Sequence, residues 1–219
     1  MEFIKLTSIN ALEKAVIAST VTPKLVICGA TENREFLEES IESNGTPPNK
    51  IIETSQSINA EEWFIERRNE IEEDWEIDLA ENEGEWLGEN PNKQPFTLTS
   101  DTLSGKPLQE LLGAKVDVNE SWQIPAIFKY GGWNECPEPE VQCAVWKYWE
   151  MKYGARIIGV SGDVIEAIIQ NPPTTQQEAM DLAWQQYVFC TDIVDQGVET
   201  VSNLGSALIN HKYWFFWWD

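Results

Sequence analysis

The chain has 219 residues, enough for one sizeable core, and 42% of them are hydrophobic, which excludes wholesale disorder. Its charge is far from ordinary: 37 Asp and Glu stand against 15 Lys and Arg, a formal net charge of −22. A field of that sign repels nucleic-acid phosphates and anionic lipid headgroups and speeds encounter with basic surfaces, which argues against direct nucleic-acid binding and for a basic protein partner.

No run approaches the roughly 18 apolar residues of a membrane span. The start Met-Glu-Phe-Ile-Lys lacks the basic and apolar regions of a secretory signal, so a cytoplasmic location is expected. Cys28, Cys136, Cys143 and Cys190 are widely spaced and read as free thiols. With no CxxC pair and His211 as the one histidine, neither a metal nor a cofactor is expected.

In chain order, Ser8 is placed to cap a helix over residues 9–18 with Leu12, Val16 and Ile17 along one side. Leu25-Val26-Ile27-Cys28 after Pro23 reads as a buried strand. Gly29 and Ala30 turn it into a helix capped by Thr31, with Phe36, Leu37 and Ile41 inward, and residues 44–48 end that helix as a loop. Residues 61–89 hold thirteen acidic residues and only Arg67 and Arg68 as bases. Asn59 is a candidate cap for a helix in which Trp63, Phe64, Arg67, Ile71 and Trp75 recur at helical spacing, and the periodicity fades into an exposed loop beyond Asp78.

Residues 108–112 read as a short helix, and residues 122–130 as a strand whose Pro125 implies an edge or a bulge. Residues 131–137 form a turn. A helix over 138–153 follows, burying Val141, Val145, Tyr148 and Trp149 and ending at Gly154. Strands over 155–160 and 163–169 flank a Ser161-Gly162 hairpin turn. Thr174 or Thr175 caps a helix to about residue 189, with Ala179, Leu182, Ala183 and Tyr187 inward. Residues 192–197 make a polar loop and 199–210 another helix. In the ending Tyr-Trp-Phe-Phe-Trp-Trp, Tyr213, Phe215 and Trp217 face one way and Trp214, Phe216 and Trp218 the other, the pattern of a strand covered on both sides.

The expected fold is therefore α/β or α+β: a mixed sheet flanked by helices, with the aromatic C-terminal strand buried in it. Residues 1–112 read as an N-terminal α/β portion carrying the acidic helix and loop (about 57–95), residues 113–219 as a C-terminal domain, and the two as one packed unit.

Four stretches of the second half carry a likeness: residues 130–137 (Tyr-Gly-Gly-Trp-Asn-Glu-Cys-Pro), 153–163 (Tyr-Gly-Ala-Arg-Ile-Ile-Gly-Val-Ser-Gly-Asp), 189–197 (Phe-Cys-Thr-Asp-Ile-Val-Asp-Gln-Gly) and 214–219 (Trp-Phe-Phe-Trp-Trp-Asp). As a set they resemble an uncharacterised bacterial family, the domain of unknown function DUF4253. Thr191 stands where that pattern commonly has proline. The resemblance implies a shared α/β fold and transfers no activity.

Two sets of residues carry functional expectations. The first joins acidic side chains to interleaved tryptophans: Trp63, Glu66, Glu70, Glu73, Asp74, Trp75, Glu83 and Trp86. Tryptophan is enriched in interface centres, although packing into the core is the plainer use of such rings. This set points to an inhibitory binding protein, most simply an immunity protein that neutralises a bacterial toxin, a nuclease being the partner whose groove already accepts negative charge. The second is a polar pocket formed from Trp133, Asn134, Ser161, Asp163, Asp192, Asp195 and Gln196, which would make the protein an enzyme or a small-ligand binder. Asp192 and Asp195 also suit capping roles, Asp195 on the final helix. No nucleophile elbow surrounds Ser161, and Glu135, Glu138 and Glu140 beside Cys136 would raise its thiol pKa, so no catalytic residue is assigned.

Overall fold

The computed structural model describes residues 1–219. Its centre is one six-stranded mixed sheet. In chain order the strands are β1 (Glu2–Thr7), β2 (Lys24–Ile27), β3 (Glu110–Val116), β4 (Arg156–Val160), β5 (Val164–Ile168) and β6 (Tyr213–Trp217). Across the sheet they lie in the order β1-β3-β2-β4-β5-β6. Only β2 and β4 run parallel; every other neighbouring pair is antiparallel. Both halves of the sequence therefore share the sheet, and residue 113 lies inside β3.

Eight α-helices surround it: α1 (Ala11–Ala18), α2 (Asn33–Ser43), α3 (Pro48–Ser55), α4 (Ala60–Trp75), α5 (Ile124–Phe128), α6 (Pro139–Tyr153), α7 (Gln176–Phe189) and α8 (Val201–Leu208). One face of the sheet packs on the larger core, where Val26, Leu112, Ile165, Trp214 and Phe216 meet Phe64 of α4, Trp149 of α6, and Leu182 and Phe189 of α7. The other face (Ile27, Leu111, Ile158, Val164) is covered by Ala11 and Ala15 of α1 and by Phe96 and Leu98 of the segment before β3.

The local signals act where they are strongest. Thr175 accepts the Glu178 N–H at 3.3 Å while Glu178 reaches back to the Thr175 N–H at 3.2 Å, a reciprocal capping box that starts α7. Gly154 ends α6 at φ 62°, a left-handed conformation that glycine adopts without strain. In β6 the pleat splits the rings as expected: Trp214, Phe216 and Trp218 are buried, while Tyr213, Phe215 and Trp217 are half-buried. β6 is the last strand of the sheet rather than an inner one, so helices and the preceding loop, not a further strand, cover its rings.

Several expectations are corrected. Residues 108–112 are not helical: β3 begins at Glu110 and pairs on both sides, and because it is buried on both faces its Leu-Leu-Gly-Ala run lacks the alternation that marks a strand. Residues 122–130 are not a strand. A 3₁₀ turn (Ser121–Gln123) with a Glu120–Gln123 capping box leads into α5, where Pro125 occupies the first helical turn, a position that needs no N–H donor. Ser8 and Thr31 cap no helix; the residues preceding α1 and α2 are Asn10 and Glu32, without side-chain caps. Ile17 and Phe36 are 63% and 57% exposed, because Ala11 and Ala15, and Leu37, hold the inward positions. Residues 192–197 are mostly a single wide π-helical turn (Ile193–Val198) that buries Ile193 and Val194. Thr200 rather than Asp195 caps α8, accepting the Asn203 N–H at 3.1 Å.

Candidate functional site

The acidic helix is built as its pattern implies. The Asn59 side chain accepts the Glu61 N–H at 3.1 Å and caps α4. Phe64 and Ile71 are buried, and the Trp63 ring packs edge-on against Phe64 and Phe189, 5.6 and 6.2 Å away. The opposite side of α4 is free, with Glu62, Ile65, Glu66, Glu70, Glu73 and Asp74 all exposed. Of the two bases of the segment, only Arg67 touches that face, at Glu70. Arg67 is drawn aside to Glu135 and, at 3.5 Å, to Glu70. Arg68 pairs with Glu72 at 3.1 Å and lies 4.4 Å over the Trp184 ring.

The tryptophans of the acidic segment divide. Trp75 is 39% exposed at the end of α4. Trp63 belongs to the larger core, and Trp86 lies half-buried against α8, where a side chain at Gly205 would meet its ring. Residues 83–90 form a strap along α8: the Glu83 carbonyl accepts the Ser202 N–H at 2.8 Å and the Ser206 carbonyl accepts the Asn90 N–H at 3.0 Å. Glu83 itself is exposed on this strap. The coherent acidic face is therefore Glu66, Glu70, Glu73, Asp74 and Trp75, joined by Glu62 and Ile65, which the sequence pattern alone did not single out.

The second set converges, but on the chain itself. Asp163 accepts the Ser161 hydroxyl at 3.1 Å on Oδ1 and the Trp217 indole N–H at 3.2 Å on Oδ2. Asp192 accepts the Gln196 amide at 2.7 Å on Oδ1 and the Asp219 N–H at 3.0 Å on Oδ2. Asn134 donates to the main-chain oxygen of Asp219, and the Trp133 ring lies edge-on to Tyr130 at 4.8 Å. Three loops far apart in sequence thus hold residues 217–219 in place. Asp195 is not part of this latch: it accepts the Tyr187 hydroxyl at 2.8 Å, and Asn82 donates to the same hydroxyl at 2.5 Å. Asp192 and Asp195 thus have separate hydrogen-bond partners.

A cleft of about 600 Å³ lies where the carboxyl ends of the parallel strands β2 and β4 meet. Gly29, at φ 76°, turns the chain from β2 towards α2 there, and Asn33, Thr97, Asp101, Ser161 and Asp163 contribute polar groups. The four thiols are buried and unpaired; burial pushes Cys143 up to about 12 and the others higher still, which leaves them protonated and unreactive at neutral pH. No three His, Cys, Asp or Glu side chains are grouped to hold a metal ion.

One buried carboxyl escapes the sequence pattern. Glu166 lies in the middle of β5 at 1% exposure. Its two oxygens accept the Thr97 N–H at 2.7 Å and the Leu98 N–H at 3.0 Å. Burial pushes its carboxyl up to about 7, against the opposing pull of those two donors. A lone Glu in a strand reads as solvent-facing, and only the crossing of residues 97–98 over the sheet buries it.

No helix is long and apolar enough to cross a membrane. Residues 113–219 match the model of a family described as a domain of unknown function, DUF4253. No curated protein and no solved structure matches the chain.

Proposed function

We propose that this protein, whose C-terminal half belongs to the DUF4253 family, is an acidic inhibitory binding protein, a reading that rests on its charge and not on the family. Its partner is a protein with a basic surface. The version with the plainest physics is immunity to a bacterial toxin, a nuclease whose groove is shaped for negative charge being the best complement.

The observation that carries this reading is the free face of α4. Glu62, Glu66, Glu70 and Asp74 succeed one another at four-residue intervals, so each carboxylate sits one turn from the next. Like charges at that spacing destabilise a helix by about 0.2–0.5 kcal/mol per pair. The ladder therefore weakens the element that carries it, which folding alone does not account for. Exposed Ile65 and Trp75 beside the ladder supply the apolar contact that a stable complex requires.

The test is co-expression with the proteins encoded beside this chain, followed by stopped-flow association with the one that co-purifies. Association slows steeply with salt, because exposed charges are screened beyond about 10 Å at 0.1 M. The combined change Glu70→Gln, Glu73→Gln and Asp74→Asn slows it about tenfold at low salt with the fold intact. Unchanged kinetics in that variant would remove α4 from the interface.

A second reading, binding of a small ligand, is favoured by the cleft at the carboxyl ends of β2 and β4, the usual ligand position in α/β sheets. It ranks below the first because both oxygens of Asp163, the carboxylate shared with the latch, are already occupied by Ser161 and Trp217.

A further inference from the structure

A second cavity, of about 310 Å³, opens along the outer edge of β6, walled by α7, α8, the π-helical turn and Pro95. Two of its lining residues carry a buried donor without a partner: Gln186 at its amide nitrogen Nε2 and Trp214 at its indole nitrogen Nε1. Each residue is 1% exposed. Buried polar atoms are nearly always paired, so two orphaned donors in one lining call for an acceptor that the chain does not supply.

The edge of β6 adds main-chain groups to these. Trp218 donates its N–H to the Asp163 carbonyl and Ile169 donates to the Lys212 carbonyl, which fixes the residues whose main chain points towards β5. By alternation the main-chain groups of Tyr213, Phe215 and Trp217 point away from β5, towards the cavity. The Trp217 carbonyl accepts the Cys190 thiol at 3.0 Å, whereas the N–H and C=O of Phe215 meet no further strand.

The charges of the lining narrow the choice of guest. Glu166 and Asp192 belong to it and no Lys or Arg does, so an anion meets an unfavourable field. Both oxygens of each carboxylate already accept N–H donors, which leaves nothing to hold a cation. His211 also lines the cavity, and burial holds it below its usual range, uncharged at neutral pH.

We infer that this cavity binds a small neutral compound with an amide edge, a lactam or ureide such as a free pyrimidine base. One carbonyl oxygen accepts from the Gln186 amide. The adjoining N–H and second carbonyl pair with the C=O and N–H of Phe215, as the residues of two antiparallel strands exchange both bonds. The half-buried rings of Tyr213, Phe215 and Trp217 supply apolar wall around it. The volume suits a ligand at the small end of the usual pocket range. Neither Gln186 nor Trp214 lines the cleft at β2 and β4, so a change at Gln186 reports on this cavity alone. The site is distinct from the free face of α4, and its failure would leave the inhibitory reading untouched.

The probe is uracil. Its controls are 1,3-dimethyluracil, whose ring nitrogens carry no hydrogen, and orotate, which adds a carboxylate. Thermal unfolding of the full chain is followed at about 0.15 M NaCl, where long-range charge effects are screened. For a Kd of about 1 mM, about 10 mM uracil raises the midpoint by about 3–5 °C, and either control gives less than half that shift. Gln186→Met, which fills similar space without an amide, at least halves the uracil shift. Proton–nitrogen correlation spectra of the parent chain need no variant and decide the matter should Gln186→Met fold poorly. Uracil moves the side-chain amide signals of Gln186, while the indole signal of Trp146, which donates to Gln142, stays in place. No midpoint shift with uracil, an equal shift with either control, an unaltered shift in Gln186→Met, or an unmoved Gln186 amide would each overturn the inference.

Discussion

Replacing Phe216 by alanine, beside the same change at Phe215, tests how β6 is held. Phe216 is fully buried. Its ring stacks on Trp149 at 5.4 Å and 17° and meets Trp146 and Phe189 edge-on, each at 5.4 Å. Truncating a buried Phe typically costs about 3–5 kcal/mol, and the lost ring pairs place this site at the upper end. Against a total stability of about 5–15 kcal/mol, that is a third or more of what holds the fold together. Phe215 lies on the opposite, half-buried face, where less area returns to water, and its loss costs about 1–2 kcal/mol. Urea unfolding followed by tryptophan fluorescence and far-ultraviolet circular dichroism separates the two. With a slope of about 2–3 kcal/mol per molar, Phe216→Ala lowers the midpoint by about 1.5–2 M and Phe215→Ala by well under 1 M. Equal midpoints for the two variants would refute the assignment of the buried face, and a Phe216→Ala protein within about 1 kcal/mol of the parent would refute the burial of β6 altogether.

Glu166 gives a pH dependence whose sign is fixed. Its carboxyl titrates near 7 in the folded chain, against an ordinary value of 4.5, so between those pH values the folded state holds a proton that the unfolded state has lost. Relative to Glu166→Gln, the parent therefore loses on the order of 3 kcal/mol as pH rises from about 4.5 to 7, and parallel stability curves for the two proteins would show that Glu166 is not desolvated. Thr175→Ala removes the capping box of α7 and costs about 1 kcal/mol, read as a drop of about 2–4 °C in the melting midpoint with the circular dichroism spectrum unchanged.

What the sequence disclosed, it disclosed where the signal is local. The Thr175 cap, Gly154 after α6, the Ser161-Gly162 hairpin and the alternating rings of β6 are all read from neighbours a few residues apart, and each stands where it is expected. β3 escapes because a strand buried on both faces shows no alternation, and α5 because Pro125 signals a strand edge as readily as a first helical turn. The polar residues of the second half read, in the sequence, as candidates for one pocket. Their meeting at residues 217–219 depends on contacts spanning up to 85 positions, which no local pattern carries. The acidic face was legible in its charge but not in the orientation of its tryptophans, since helical spacing does not say whether Trp63 or Ile65 turns inward.

The position of residue 113 inside β3 bears on how the family segment can be handled. Cut away from residues 1–112, it would keep the β4–β5–β6 meander but lose β2, the only neighbour on the other side of β4. Ile157, Ile158 and Val160 would then lie along a newly opened rim of unpaired N–H and C=O groups, the kind of rim that recruits further copies into aggregates. The unit recognised by likeness and the unit that closes its own sheet are thus different lengths of chain. A soluble preparation of the family segment calls for the strands that precede it.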